Sequence, residues 1–205
     1  PWTDNGVTNR LVDYTAGSTV DDPGTPDNDD AFPDRAPIYI SNGTGGGNWQ
    51  NLIWEDESGV ALGTFPGIGS VVTIIADDEV EFQTTGDVDL NDIQIYRLTI
   101  EGRLRVFQTE RHNLGVVNGE GTIVLYSGDL PGGRFDDFLT TTGGGVEYTG
   151  GTDYPASVDI TAVRRLVFNN AGGVIELPLV STTVGDELVF QSGTIDNSEH
   201  DISFN

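Results

Sequence analysis

The residues best suited to bind an ion are concentrated between positions 21 and 30. This stretch holds one amide side chain, Asn28, and five carboxylates, which belong to Asp21, Asp22, Asp27, Asp29 and Asp30. Ca²⁺ takes about six to eight oxygen ligands, and carboxylate and amide oxygens supply them. The spacing is not that of an EF-hand, which needs acidic residues at alternate positions and a distal Glu. The five Asp residues are therefore candidate Ca²⁺ ligands, and a solvated acidic loop without bound metal is the favoured interpretation.

Two tryptophans offer a different chemistry. Trp49 and Trp54 lie on either side of a predicted turn, ahead of the first regular strands. If their rings are exposed, they can stack on sugar rings and form a glycan-binding surface. If they are buried, they can close the first end of a stacked β-structure as a hydrophobic cap, which solenoid folds require. The sequence leaves both roles open and favours the cap.

No catalytic residue is predicted. The chain contains neither Cys nor Met, and its two histidines, His112 and His200, form no metal-spaced pair. A carbohydrate-cleaving site could be assembled from Arg134, Asp136 and Asp137, but adjacent residues on a strand point to opposite faces. The serine-hydrolase, zinc-protease and phosphate-loop motifs are all absent. We therefore predict a protein that is not an enzyme, with a polysaccharide lyase or hydrolase as the alternative.

The net charge of the chain limits its partners. There are 33 acidic and nine basic residues, all nine of them Arg, which gives a formal charge of −24. Such a charge repels nucleic acids and anionic membranes unless a basic patch compensates for it. No run of residues approaches the roughly 18 apolar positions of a membrane span. We expect neither nucleic-acid binding nor membrane insertion.

The elements that position these residues are short strands. Apolar residues alternate with polar ones and are followed by Gly, Asn or Asp, as in Val80-Glu81-Phe82, Leu98-Thr99-Ile100, Leu104-Arg105-Val106 and Val146-Glu147-Tyr148. An alternation of period two indicates strands with one buried face. No segment has the pattern of an amphipathic helix. The sequence therefore predicts an all-β protein.

The spacing of the strands predicts how they are stacked. Ile74, Leu98 and Ile123 follow one another at almost equal intervals, and Leu166-Val167-Phe168 recurs as Leu188-Val189-Phe190 after a slightly shorter one. Such intervals suit a coil of three short strands separated by turns. We predict a right-handed parallel β-helix, or solenoid, with an antiparallel β-sandwich as the alternative.

The chain is predicted to divide near residue 45. Residues 1–45 form an irregular acidic segment or linker rich in Asp, Pro and Gly, and residues 46–205 form the β-helix domain. An uncapped last coil would present unpaired backbone groups and apolar side chains. We expect these to be covered by a second copy stacked head to tail, or by flanking modules of a longer chain.

The order of several motifs resembles a known family. These motifs are Gly47-Asn48-Trp49, Trp54, Pro66-Gly67-Ile68-Gly69, Val72-Thr73-Ile74 and Leu98-Thr99-Ile100-Glu101-Gly102. Together they resemble β-helical modules of large bacterial cell-surface, adhesin-like proteins exported by the Bacteroidetes type IX system, and more distantly the extracellular G8 domain. Residues 188–196 are similar to the repeated coils of those modules.

This resemblance covers roughly residues 46–205. It implies a secreted or cell-surface protein with a structural or adhesive role and no catalytic residues. The partners that we expect, from the uncapped coil and the tryptophans, are copies of the chain itself, flanking modules, or cell-surface glycans. Asn42-Gly43-Thr44 also fits the acceptor pattern for N-glycosylation, so Asn42 is a candidate glycosylation site.

Overall fold

The computed structural model describes residues 2–4, 7–9, 36–82, 93–107, 112–157, 159–177, 181–196 and 202–204, the first two ranges and the last as backbone only. Every regular element in these ranges is a β-strand. The all-β prediction is confirmed. The described residues contain no helix of the length and apolar character needed to cross a membrane.

The chain forms two units, Pro1–Pro37 and Ile38–Asn205. In the first unit, β1 (Trp2–Asp4) pairs with β2 (Val7–Asn9) in an antiparallel hairpin. In the second, β3 begins at Ile38 and already pairs in parallel with a later strand of the stack. The stack therefore begins at residue 38, ahead of the predicted domain start at residue 46.

The second unit contains two sheets, which we call the short sheet and the long sheet. The short sheet has the order β12-β10-β8-β6-β3-β5 and the long sheet the order β17-β16-β15-β13-β11-β9-β7-β4, with β14 beside β15. The strands are β3 (Ile38–Ser41), β4 (Gly46–Asn48), β5 (Trp54–Glu55), β6 (Val71–Ile74), β7 (Glu79–Phe82), β8 (Arg97–Ile100), β9 (Arg103–Val106), β10 (Asn113–Asn118), β11 (Thr122–Leu125), β12 (Gly132–Arg134), β13 (Gly145–Thr149), β14 (Tyr154–Pro155), β15 (Ala162–Glu176), β16 (Thr182–Asp196) and β17 (Ile202–Phe204).

Parallel pairing makes this unit a β-solenoid. Both sheets are parallel throughout except at β5, which pairs antiparallel with β3. Aligned positions of the long sheet recur once in every coil, at Glu79, Arg103, Thr122, Gly145, Arg165 and Glu187. The parallel β-helix prediction is confirmed. The antiparallel sandwich is wrong, because strands of successive coils pair in parallel within each sheet.

The composition of a coil differs from the prediction. Among the described residues from β6 to β13, each coil contributes one strand to each sheet, which makes two strands where the sequence predicted three. Leu98 belongs to the short sheet and aligns with Val72, whereas Ile123 belongs to the long sheet and aligns with Leu104. The equal spacing of Ile74, Leu98 and Ile123 therefore joined residues that are not partners. The later recurrence is correct, since Leu166 aligns with Leu188.

The core lies between the two sheets. Alternate residues of each strand point inward and form one cluster, so that Val72, Ile74, Leu98 and Ile100 from the short sheet meet Leu104 and Ile123 from the long sheet. Burying an aliphatic or aromatic side chain of this size contributes about 1.5–3 kcal/mol. Stacked apolar rows thus supply the stability of a chain that has no cysteine and hence no disulfide.

Glycine permits the tightest contact between coils. The amide of Gly121 donates to the Ile100 carbonyl at 2.7 Å, and an added Cβ at Gly121 would clash with the carbonyl oxygen of Gly102. Gly119 adopts a φ of +107° and packs equally closely on Ile100. Side chains at these positions would push the coils apart, so the turn between β10 and β11 needs glycine there.

Candidate functional site

The predicted Ca²⁺ ligands Asp21, Asp22, Asp27, Asp29 and Asp30 lie outside the described residues. Within the described ranges, no group of three or more His, Asp or Glu side chains is arranged to hold a metal ion. The Ca²⁺ site therefore stays a prediction.

Asp78 shows what one acidic side chain does inside the stack. It is buried, and its Oδ2 and Oδ1 accept hydrogen bonds from the amides of Gly43 and Gly45, each at 2.9 Å. Because both oxygens are occupied, this carboxylate fixes the loop between β3 and β4 against the next coil. The same loop contains Asn42, whose Oδ1 accepts from the Thr44 hydroxyl at 2.7 Å. Glycosylation of Asn42 stays a prediction.

Trp49 and Trp54 are both fully buried. Their ring centroids are 4.9 Å apart, and the Trp49 ring lies 4.8 Å from that of Phe82. The indole nitrogen of Trp49 donates to the Pro66 carbonyl at 3.1 Å, and that of Trp54 to the Trp49 carbonyl at 2.9 Å. Both polar atoms are thus satisfied internally. Buried rings cannot stack on a sugar, so these two residues do not form a glycan-binding surface in this conformation. They lie where the hydrophobic cap was predicted.

The segment around the tryptophans also exposes several apolar side chains, and we call this group of residues the cap surface. It consists of the exposed side chains Ile53, Val60, Leu62, Phe65 and Ile68. Ile68 is the most exposed of them, at 75%. Five large apolar side chains so close together in sequence exceed the scattered exposure that is normal for a soluble protein. The cap surface is therefore a candidate contact surface.

Ion pairs on the outer face of the long sheet connect one coil to another. Arg103 on β9 donates from Nε to Glu79 on β7 and from Nη2 to Glu147 on β13, both at 2.9 Å. Arg105 pairs with Glu79 at 3.1 Å and with Glu81 at 3.7 Å. We call these five residues the Arg–Glu network. It joins coils that are distant in sequence.

The environment of Arg103 favours its charged form. Partial burial of the guanidinium disfavours its charge, but the hydrogen bonds and Coulomb attraction of Glu147, and then of Glu79, outweigh this effect. The pKa of Arg103 is therefore raised above its ordinary value. Glu147 is only 9% exposed and also accepts from Asn169 Nδ2 at 3.2 Å. Since each carboxylate of the network is already paired with an arginine, the arrangement ties strands together.

An aromatic pair borders the network. The rings of Phe107 and Tyr126 are stacked with centroids 3.9 Å apart, and the Arg105 guanidinium lies 5.6 Å and 5.3 Å from the two centroids. Arg105 Nη2 also donates to the Tyr126 hydroxyl. This surface was not predicted from the sequence. Its signal is the alternation Glu79-x-Glu81 and Arg103-x-Arg105, which places opposite charges in aligned positions of neighbouring strands.

Two tyrosines, Tyr148 and Tyr154, have a raised pKa. Burial raises the pKa of Tyr148, whose hydroxyl oxygen accepts a hydrogen bond from the Ser157 amide at 3.3 Å. Burial also raises the pKa of Tyr154, whose hydroxyl donates to the Thr149 carbonyl at 2.7 Å. Both phenols therefore stay protonated to a higher pH than an exposed tyrosine does.

The other end of the long sheet has an open strand edge. β16 pairs along its length with β15, but β17 pairs only with Thr182–Val184 of β16. Among the described residues, no strand pairs with positions 187–196 on the side away from β15. We call this part of β16 the open edge. It presents backbone donors and acceptors that are a template for another strand.

An aromatic row ends at the open edge. The rings of Tyr148 and Phe168 are stacked 5.8 Å apart, and those of Phe168 and Phe190 are stacked 5.4 Å apart. Tyr148 and Phe168 are buried, whereas Phe190, in the aligned position of the next coil, is 61% exposed. Phe190 thus occupies a core position that no further coil covers in the part of the chain that the structure describes.

Comparison of the chain with protein family models, characterised proteins and solved structures finds no match. The geometry of the described residues therefore carries the functional argument.

Proposed function

We propose that this chain is an extracellular structural or adhesive surface protein whose open edge is its contact end. The observation that carries the proposal is the exposure of Phe190, 61%, at a core position of the last long strand. A large aromatic side chain beside a strand edge that no described strand occupies gains free energy when a second copy, or a flanking module of a longer chain, covers both. The extracellular location is supported by the resemblance of residues 46–205 to bacterial surface modules.

Head-to-tail self-association is the form of contact that the two ends support. The open edge of one copy would meet the cap surface of the next, and both carry exposed apolar side chains. At the capped end, β5 runs antiparallel to β3, so this contact would be made by side chains and would not continue a parallel sheet. A heterologous contact of this kind does not close on itself and can extend into a filament.

Charge sets the conditions for this association. The cap surface is flanked by Glu55, Asp56 and Glu57, and the open edge carries Asp186 and Asp196, so two ends of like charge must approach each other. Repulsion between exposed charges falls as ionic strength rises, because the Debye length shortens to about 10 Å at 0.1 M salt. Association is therefore expected at high salt or with divalent cations, and not at low salt.

Sedimentation velocity and negative-stain microscopy test the proposal. The wild-type protein is compared with Phe190→Asp at the open edge and Ile68→Asp at the cap surface. Tyr96→Asp is the matched control, since Tyr96 is another exposed aromatic residue that belongs to neither surface. We expect salt-dependent oligomers that both end variants abolish and the control retains. A wild-type protein that stays monomeric at every salt and Ca²⁺ concentration would contradict head-to-tail assembly.

Among the described residues, the alternative of glycan binding or cleavage is best tested at the Arg–Glu network with its bordering Tyr126. This surface brings carboxylates, guanidinium groups and an aromatic pair together on one face. Glu147→Gln is the informative variant, because the amide keeps the size of the side chain and removes its charge. Loss of glycan binding or cleavage in this variant, with unchanged stability, would support the alternative.

A further inference from the structure

One dipeptide of the sequence can undergo a reaction without any other reagent than water. Asn followed by Gly occurs at Asn5-Gly6, Asn42-Gly43 and Asn118-Gly119, and the first of these pairs lies outside the described residues. In such a pair the backbone nitrogen of Gly can attack the side-chain carbonyl carbon of Asn, because glycine has no Cβ to hinder the approach. The two described pairs are therefore candidate sites of deamidation.

Deamidation at Asn42 would proceed through a cyclic intermediate. A bond forms between the Gly43 nitrogen and Cγ of Asn42, the bond from Cγ to Nδ2 breaks, and ammonia leaves with the proton that the Gly43 nitrogen gives up. Water then opens the succinimide ring at either of its carbonyl groups. The products are Asp and isoaspartate, and isoaspartate has a longer backbone because the side-chain carbon becomes part of the main chain. The first step requires that the Gly43 nitrogen lose its proton.

The surroundings of Asn42 favour attack on its side chain. Asn42 is half-buried, and Gly43 and Thr44 are exposed, so water can reach the pair. Asn42 Oδ1 accepts a hydrogen bond from the Thr44 hydroxyl at 2.7 Å and from the Thr44 amide at 3.4 Å. Both donors draw electron density from the side-chain carbonyl, which makes Cγ a better electrophile. The reactivity of the pair therefore depends on the Gly43 nitrogen.

The Gly43 nitrogen is bound to a buried carboxylate. It donates to Asp78 Oδ2 at 2.9 Å, and Asp78 is 1% exposed. Asp78 is itself fixed on both sides, because its Oδ1 accepts from the Gly45 amide at 2.9 Å and its backbone carbonyl accepts from the Arg103 amide at 2.8 Å. A carboxylate that accepts a hydrogen bond stabilises the protonated amide. It also repels the negative charge that develops when the nitrogen loses its proton and attacks.

We propose that Asn42 is a deamidation site that stays unreactive in the folded protein because Asp78 holds the Gly43 amide in its protonated, hydrogen-bonded form. This inference rests on the contacts of Asp78 and is independent of the proposed contact end. Reaction would place a second carboxylate beside Asp78 and would lengthen the backbone of the loop between β3 and β4. Both changes weaken the hydrogen bonds from this loop to Asp78, so the modified loop does not return to its original contacts.

Asn118-Gly119 is a comparison within the same molecule. Asn118 pairs with Thr99 in the short sheet, and an added Cβ at Gly119 would clash with the carbonyl oxygen of Ile100. This pair is thus held by strand pairing and close packing, whereas the carboxylate of Asp78 binds the loop between β3 and β4. Loss of that carboxylate should release Asn42 and leave Asn118 as it was. General unfolding should release both.

Peptide mapping by mass spectrometry, in ¹⁸O-labelled water at mildly alkaline pH, measures the conversion of each asparagine. Wild type is compared with Asp78→Asn, which removes the charge at constant size, and with Asn42→Gln, which would have to close a larger ring. Ser41→Ala is the matched control: the buried Ser41 hydroxyl accepts a backbone amide of the next coil at 3.0 Å, and its loss leaves the bond from Gly43 to Asp78 in place. An unstructured peptide with the sequence of residues 38–50 gives the unprotected rate.

We expect Asn42 of the folded wild type to react at least tenfold more slowly than in the peptide. Asp78→Asn should raise the rate at Asn42 at least tenfold, Ser41→Ala should leave it almost unchanged, and Asn42→Gln should abolish the conversion. The rate at Asn118 should be the same in all folded variants. Hydrogen exchange of the wild type tests the bond without a substitution, since the Gly43 amide should exchange at least tenfold more slowly than in the peptide although the residue is exposed.

Equal rates at Asn42 in the folded wild type and in the peptide would overturn the inference. So would an Asp78→Asn protein that is folded by circular dichroism and reacts no faster at Asn42 than wild type, or one in which Asn42 and Asn118 accelerate together. If Asp78→Asn does not fold, the exchange of the Gly43 amide in the wild type decides. A protected amide supports the role of Asp78, and an unprotected one contradicts it.

Discussion

At the scale of single residues, buried polar side chains connect the coils. Asp78 holds two amides of the preceding loop, and Asn170, which is fully buried, accepts from the Gly151 amide at 2.6 Å and donates to the Thr152 carbonyl at 2.7 Å. Buried polar groups of this kind are costly when a partner is removed, because the remaining group stays desolvated. They act as joints between successive coils.

Replacing Asp78 by Ala tests this role. Two amides would lose a charged acceptor, and hydrogen bonds to charged groups contribute about 1.5–3 kcal/mol. We expect the free energy of unfolding, measured by urea titration, to fall by roughly that amount. Asp137→Ala, at an exposed position, is the control and should change it by less than about 0.5 kcal/mol. Equal effects of the two substitutions would contradict a special role for Asp78.

Ionisation of Tyr148 is expected to lower the free energy of unfolding at alkaline pH. Burial raises its pKa in the folded state, so the unfolded chain loses the phenolic proton first as pH rises above about 10. The contribution of the buried phenol to the free energy of unfolding is fully present below that pH. It is lost above that pH, at up to about 1.4 kcal/mol per pH unit. Urea titrations between about pH 8 and about pH 11 should show a shallower decline for Tyr148→Phe than for wild type. Parallel curves would contradict this assignment.

At the scale of elements, the outer face of the long sheet holds its strands in register. Arg103 bridges Glu79 and Glu147, which lie on strands either side of its own in the stack. The backbone ladder alone would permit neighbouring coils to slip by two positions without exposing their apolar face. Opposite charges in aligned positions penalise such a slip.

Arg103→Ala measures the strength of this bridge. Glu147 would remain nearly buried with Asn169 as a remaining partner, so we expect a loss of about 1–3 kcal/mol in the free energy of unfolding. Adding Glu147→Gln should recover part of it, because the unpaired charge is removed. Arg134→Ala is the control: its pair with Asp136 is 3.7 Å long between side chains that are 73% and 85% exposed, and should matter little. No recovery in the double variant would contradict the bridge.

At the scale of the whole molecule, the formal charge of −24 opposes the compact state. Screening this charge should stabilise the protein, so the thermal midpoint is expected to rise with NaCl. CaCl₂ at matched ionic strength should raise it further if the five Asp residues between positions 21 and 30 bind Ca²⁺, since a ligand stabilises the state that binds it. Replacing all five by Asn should remove the additional rise. Identical midpoints in the two salts would favour the solvated loop.

The sequence predicted the core better than the surface. The inward positions of Val80, Leu104 and Val146 follow from period-two alternation, because a strand with one buried face must alternate. The alignment of Phe168 with Phe190 follows from the recurrence of the motif that contains them. The two-strand coil could not be read in the same way, since apolar residues of both sheets contribute to one pattern along the chain. The alternation within a single strand does not indicate which of the two sheets that strand joins.

The sequence by itself determined an all-β solenoid, because the alternation of apolar residues and the recurrence of strand motifs can both be read directly along the chain. Only the tertiary structure decided that Trp49 and Trp54 are buried, that Arg103 reaches Glu147, and that Phe190 is exposed at an aligned core position. These outcomes depend on which coil lies next to which, and coils of unequal length bring together side chains whose separation varies along the chain. Burial and pairing are therefore properties of the stack, and the proposed contact end of this protein was visible only there.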